Sequence, residues 1–265
     1  MKAIAEIPIG LLQQVHYLLT DIDDTLTEKG MLPASSLAAI EKLDKAGIAV
    51  IPITGRPAVW CDHIARMWPV RGVVGENGAF YFSYDRKNRR MIQVFAKDGQ
   101  ERESDRRRLN EIKDRILDEI PGAGIASDQN YRVADLAIDF CEDVEPLSDD
   151  EINHIVKIFK QSGATARIST IHVNGWFGSY DKLTMTRTCL KDLFQVDIDR
   201  KNDQIAFVGD SPNDAPMFSF FTNSVGVANV SDFVLSSQPK WITKKRCAQG
   251  FVEFTELLLT SRGKL

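Results

Sequence analysis

The 265-residue chain has only four cysteines, Cys61, Cys141, Cys189 and Cys247, and none stands in C-x-x-C spacing. That scatter speaks against a cysteine zinc site or a disulfide framework and fits free thiols in a reducing compartment. No apolar run reaches the roughly 18 residues that a bilayer span requires. The opening MKAIAEIPIGLLQQVHYLL lacks a basic start, a long apolar segment and a small-residue cleavage site, so no secretory leader is expected. Excess basic charge is missing too. A formal net charge of −4 is a poor match for a nucleic-acid backbone. Internal repeats, low-complexity segments and flexible linkers are also absent. What remains, at 43% hydrophobic and 26% charged, is a globular composition able to bury a core. The expectation is a soluble cytoplasmic protein with neither a membrane nor a nucleic acid as partner; the sequence leaves its oligomeric state open.

Short apolar runs alternate with amphipathic segments in the first part of the chain. VHYLL (15–19) reads as a strand, and Leu37, Ile40 and Leu43 mark one face of a helix over about 34–46. Gly47 stops that helix, and IAVIPIT (48–54) is a second, β-branched strand. Pro57 opens another helix, and RGVVGENGA (71–79) holds a third strand. This order predicts an α/β fold, a doubly wound, Rossmann-like parallel sheet covered on both faces. The pattern then changes. AFYFSYD and MIQVFAKD flank RKN as a hairpin, a charged helix carries Leu109, Ile112, Ile116 and Ile120 on one face, and YRVADLAIDF (131–140) reads as a strand. A further helix shows Ile152, Ile155, Val156 and Phe159, and ATARISTIHVNGWF (164–177) reads as one more strand. The α/β pattern resumes at Asp181, which can cap a helix running to Phe194. The division expected is a core of residues 1–82 and 178–265, interrupted by an inserted α+β cap domain over 83–177.

Acidic residues gather where the core strands end. LLTDIDDTLTEKG (18–30) places Asp21, Asp23 and Asp24 directly behind an apolar run, and QIAFVGDSPND ends its strand with Asp210 and Asp214. IPITGR ends in Thr54, Gly55 and Arg56. Open parallel sheets bind ligands beyond the carboxyl ends of their strands. If these strands are neighbours, their carboxylates share one crevice, repel one another and call for a cation. Carboxylate oxygens suit magnesium better than zinc, which would recruit His or Cys. A carboxylate so placed can attack a phosphoryl group, and a second, two residues on, can protonate the leaving alcohol and then activate water.

Four motifs in order resemble the haloacid dehalogenase superfamily of phosphatases: DIDDT (DxDx(T/V)), IPITGR at Thr54, Lys182 in SYDKLTMT, and GDSPND (GDxxND). GENGA and SVGVANV add support, and the likeness covers about residues 15–82 and 178–255. The resemblance implies that Asp21 is the nucleophile and a magnesium ligand. It makes Asp23 the general acid/base, binding the metal through its backbone carbonyl. Thr54 then binds phosphoryl oxygens, Lys182 balances the charge of Asp21 and the phosphate, and Asn213 meets the phosphoryl group or Lys182. Asp210 ligates magnesium, with Asp214 supporting the site directly or through water. The insert lies between Thr54 and Lys182, which resembles the Cof-type, or IIB, cap. That subgroup includes phosphatases of sugar phosphates, so a small phosphorylated metabolite is the implied partner. Leu183 stands where the subgroup carries a glycine after its lysine, and Lys191 is the alternative to Lys182.

Several candidates keep two readings. Arg56 either pairs with an acid or reaches the substrate, and Asn77 either holds its own turn or touches substrate. His172 and Asn174, on the segment returning to the core, are candidate substrate contacts or packed strand residues. Trp176 is better suited to packing at the hinge than to stacking on a sugar. The run KDGQERESDRRRLNEIKDR looks basic, yet residues 83–177 carry 15 Lys and Arg against 18 Asp and Glu. A solvated helix face is the expectation there. The competing functions are a phosphoryl-accepting receiver-like signalling protein and a phosphotransferase or phosphomutase using the same aspartyl-phosphate. Asp24 has no role in the motif beyond its backbone N–H.

Overall fold

The computed structural model describes residues 1–263. Its N-terminal part runs β1 (Lys2–Ala3), α1 (Ile9–Gln14), β2 (Tyr17–Thr20), α2 (Ala34–Lys45), β3 (Ala49–Pro52), α3 (Ala58–Met67), β4 (Val73–Gly75), then the hairpin β5 (Phe80–Asp85) and β6 (Arg90–Phe95). The insert follows as α4 (Gly99–Glu119), β7 (Gly124–Ile125), β8 (Leu136–Asp139), α5 (Asp149–Gln161), β9 (Thr165–Ile168) and β10 (His172–Trp176). The chain closes with α6 (Lys182–Phe194), β11 (Ile205–Gly209), α7 (Ala215–Phe220), β12 (Asn223–Gly226), β13 (Trp241–Ile242) and α8 (Cys247–Ser261).

Six of these strands form a wholly parallel sheet in the order β1-β13-β12-β11-β2-β3. The two acid-ending strands, β2 and β11, are direct neighbours, with Thr20 opposite Val208. Period-two alternation sends side chains to both faces. Leu18, Val50, Ala206 and Val208 face a cluster that includes Ile40 of α2, Ile64 of α3 and Phe251 of α8. Leu19, Ile51, Ile205 and Phe207 face Met185 and Leu190 of α6 and Met217 of α7. Both faces are therefore dry, and the strands read as continuous apolar runs for that reason.

The insert has a separate core. Leu109, Ile112 and Ile116 of α4 and Ile155, Ile158 and Phe159 of α5 pack on Ile138 and Val173 of an antiparallel sheet ordered β7-β8-β10-β9. Three local expectations change. Residues 164–177 form a hairpin, β9 and β10, turning at 169–171, because Ser169 accepts and returns bonds to His172 across a tight turn. The strand expected over 131–140 begins only at Leu136, since Gln129–Tyr131 is a 3₁₀ turn. The hairpin β5–β6, read from sequence as the start of the insert, pairs antiparallel with β4, and Phe80 and Phe82 sit in the core cluster. Hydrogen bonding to β4 outweighs sequence adjacency to α4.

No described helix is long and apolar enough to cross a membrane. The four cysteines are free, Cys61 and Cys189 fully buried.

Candidate active site

Three loops meet at the carboxyl edge of the sheet, following β2, β3 and β11. Asp21 leaves the end of β2 with its backbone N–H on the Val208 carbonyl of β11, 2.9 Å away, so the neighbouring strand fixes its position. Its side chain, 6% exposed, takes a bond from Lys182 Nζ at 3.1 Å. The same ammonium reaches Asp214 Oδ1 at 2.7 Å and Asn213 Oδ1 at 3.3 Å. Lys182 is the first residue of α6, capped by Asp181, whose side chain accepts the Thr184 N–H. The start of α6 lies against Gly78, where φ is +105° and a Cβ would stand 2.0 Å from the Asp181 carbonyl oxygen. Only glycine permits that approach. Lys182 thus stands beside Asp21 and Asp214, whereas Lys191 lies further along α6 and is exposed.

One oxygen each from Asp21, Asp210 and Asp214 lies within 4.8 Å of the others. Thr25 Oγ1 and Asn229 Nδ2 donate to the two Asp210 oxygens at 3.1 and 3.0 Å, and Asp214 Oδ2 accepts the Asp210 N–H at 3.1 Å. Burial pushes Asp21 up to about 8; Lys182 opposes this, while Asp214 and Asp23 add to it. Burial, then the charges of Asp21 and Asp214, also drive Asp210 well above the carboxylate range. For Lys182 burial opposes the charge, yet Asp21 and Asp214 overrule it and hold the ammonium above its ordinary value. One buried cation thus faces three buried carboxyls, a deficit that a bound metal ion would remove. The all-oxygen donor set fits a hard divalent cation.

Asp23 lies apart from this group. Its carboxylate is gripped by Arg56, from Nε at 3.0 and 3.1 Å and from Nη2 at 2.8 Å. Arg56 also faces Glu142 Oε1 at 3.6 Å and Asp128 Oδ2 at 3.9 Å, both in the insert. Thr54 is fully buried, its Oγ1 accepting the Arg56 N–H at 3.0 Å. Gly55 offers its carbonyl to Arg132 of the insert at 2.9 Å. The Asn77 backbone N–H bonds the Thr54 carbonyl, and its buried Nδ2 has no hydrogen-bond partner among the described residues. His172 Nε2 is 2.9 Å from Glu142, and Asn174 donates to Asp135 at 3.2 Å. Both line the cavity that Asp21, Asp23, Gly55, Arg56 and Asn213 also line, whereas Thr54, Asn77, Lys182, Asp210 and Asp214 do not line it. Trp176 stacks on Tyr180 and donates to its carbonyl, at the return to the core.

Sequence reasoning missed the clamp between insert and core. Glu76, fully buried at φ +42°, accepts the N–H groups of Ala58, Val133, Ala134 and Asp135. Burial pushes it up to about 8, with Asp135 adding and Arg132 and the amide donors opposing. The GENGA stretch was visible, but nothing local in it announces acceptors for a loop nearly 60 residues away. Asn229 and Thr25 were inside quoted motifs, and their bonds to Asp210 needed the fold.

Residues 18–102 and 187–254 match the family of haloacid dehalogenase-like hydrolases, more than half of the chain. The protein belongs to that family. Among solved structures it resembles a HAD/COF-like hydrolase from Plasmodium vivax, at 18% identity and TM-score 0.67 over 96% of this chain and 100% of that one. It is similar to the sucrose-phosphatase of Synechocystis sp. PCC6803, solved with sucrose and phosphate, at 15% identity and TM-score 0.61, covering 93% of this chain and 98% of that one. A HAD subclass IIB sugar phosphatase aligns over 95% of this chain and 100% of its own, at 13% identity and TM-score 0.62. At these identities the likeness is one of fold. No curated protein matches the chain.

Proposed function

We propose that the protein is a magnesium-dependent phosphomonoester hydrolase working through an aspartyl-phosphate on Asp21, with a small sugar phosphate or related phosphorylated metabolite as substrate. The observation that carries this reading is the buried Asp21 at a strand end, bonded to Lys182 and within reach of Asp210 and Asp214. Asp21, Asp210 and Asp214, with the Asp23 carbonyl, are the residues that would hold magnesium, which when bound neutralises carboxylate and phosphate charge. Asp21 attacks phosphorus as the ester oxygen leaves, and Asp23 donates the proton that oxygen needs. Asp23 then takes a proton from water attacking the phosphoaspartate, so phosphate is released and Asp21 regenerated. Lys182, Thr54 and Asn213 hold the remaining charge and the phosphoryl oxygens in place.

We place the cap at about 98–177, since its core closes on itself from α4 onward. The cavity at Asp21 measures about 20 Å³, little more than one water requires. A sugar phosphate therefore enters only when the turn at 169–171 lifts away, and cap closure then excludes bulk water. A screen of sugar phosphates, phosphorylated acids, nucleotides and cofactor phosphates, with magnesium or with a chelator, tests the reading. Selective, chelator-sensitive release of inorganic phosphate is expected. Rates that ignore the chelator would remove the metal from the mechanism, and label passing to a second sugar instead of water would make the protein a phosphotransferase.

Asp24 supplies a contrast. Its φ is +51°, a conformation that favours glycine, and burial with the Asp23 charge raises its pKa. Asp24→Gly is expected to keep turnover within about threefold and to gain up to roughly 1 kcal/mol of stability from relieved strain. Turnover as low as that of an Asp21 variant would give the Asp24 side chain a catalytic part.

A further inference from the structure

The basic run on α4 is more than a solvated face. Arg102, Arg106, Asn110 and Lys113 follow one another at helical spacing and form one wall of a cavity of about 190 Å³, which shares only Arg132 with the lining of the cavity at Asp21. Across from them stand Asn130 and the segment from Arg132 to Leu136. Arg102 is fixed in place, donating to the Lys97 carbonyl at 2.9 Å and lying 3.8 Å over the Phe95 ring. Arg106 and Asn110 have side chains with no hydrogen bond or ion pair among the described residues. Lys113 pairs, among the described residues, only with Asp114, its exposed neighbour. Arg132 is 5% exposed and adds a buried positive charge, balanced by Asp128 and Asp135. Three further cations thus line a concavity in a chain whose net charge is negative.

We propose that this cavity is a second anion site, taking a small phosphorylated or polycarboxylate metabolite apart from the catalytic centre. Arg106 and Lys113 supply movable donors, Arg102 a preset guanidinium, and the amides of Asn110 and Asn130 complete the ring. A guanidinium without a partner among the described residues, Arg106, flanked by a second guanidinium and an ammonium around one cavity, is what a multiply charged oxyanion requires. The volume exceeds a water's need more than tenfold, enough for an anion of phosphosugar size. Its position has a consequence. The wall at 132–135 is the segment whose amides bind Glu76 and whose Arg132 holds the Gly55 carbonyl. An anion seated there leans on the clamp that keeps the cap down. The site stands on its own observations and does not depend on the hydrolase reading.

Equilibrium dialysis of the full chain with labelled inorganic phosphate, and separately with citrate, tests the proposal. The comparison is the double variant Arg106→Ala/Lys113→Ala. Arg106 is exposed and Lys113 half-buried, so an unchanged melting midpoint and unchanged turnover will certify the variant as folded. The native chain should bind one more phosphate than the variant, and that extra binding should weaken at least roughly tenfold per cation removed. Citrate, too large for the closed cavity at Asp21, should bind the native chain once and the variant at least roughly a hundredfold more weakly. Equal stoichiometry in native and variant chains, for both anions, overturns the proposal. Extra phosphate binding without citrate binding keeps the site but restricts it to phosphate-sized anions.

Discussion

Asp21→Asn is expected to lower turnover of a chromogenic phosphate ester by roughly 10⁴-fold or more, the scale on which enzymes lose rate when a nucleophile is removed. The amide is nearly isosteric, so the substituted chain keeps its backbone bond to Val208 and its place beside Lys182. What disappears is the oxygen that forms the phosphoryl bond. A measurable phosphoenzyme in the native chain and none in the variant would complete the case, whereas undiminished turnover would falsify the mechanism. The substitution also carries a stability signature. Asp21 is raised to about 8 in the fold from an ordinary 3.8. A carboxyl raised on folding contributes stability that is present below its unfolded pKa and lost as pH rises through its folded one. The metal-free protein should therefore weaken between about pH 4 and pH 8. Asp21→Asn should flatten that slope, and added magnesium should do the same in the native chain. Denaturant melts across that pH range provide the check.

Glu76→Ala should have the largest effect on stability. Its carboxyl accepts four backbone N–H groups, one from Ala58 of the core and three from 133–135 of the insert. Each buried donor left without an acceptor costs about 1–3 kcal/mol. Water entering the cavity left by the side chain will satisfy part of the demand, so the loss expected is about 3–5 kcal/mol. In a chain of this size that corresponds to a fall of roughly 10 °C in the melting midpoint. Faster hydrogen exchange at Val133, Ala134 and Asp135 than at β2 would show that the clamp opens first. Glu76→Gln separates shape from charge. Its amide keeps one acceptor but turns an NH₂ toward donors, and it removes a group raised to about 8. It should be less damaging than alanine and should flatten the slope of stability between about pH 5 and pH 8. An unchanged midpoint in both variants would mean that the clamp holds nothing.

These two residues also mark how far the sequence could be read. Asp21 announced itself because its signal is local: three aspartates behind an apolar run, answered by a second acid-ending strand and a capped lysine helix. The parallel core was legible for a related reason, since strands buried on both faces leave continuous apolar runs whose neighbours are helices with one greasy stripe. Where the pattern failed, pairing rather than propensity decided. The stretch 164–177 has strand composition throughout, and only the bonds across Ser169 fold it into a hairpin whose turn covers the site. Arg56 could not be assigned between acid and substrate until Asp23 came to within 3.0 Å of its guanidinium.

The sequence by itself determined which groups are candidates for the chemistry: the carboxylates, the hydroxyl, the lysine and their order along the chain, because each is a residue type read at a strand end or, for Lys182, at a helix start. The tertiary structure alone decided how that chemistry is enclosed. Glu76, Arg132 and Arg56 join segments tens of residues apart, and the strength of a buried charge depends on what the fold packs around it. No local pattern encodes that, so the clamp over the site and the cationic cavity behind it became visible only when the chain was folded.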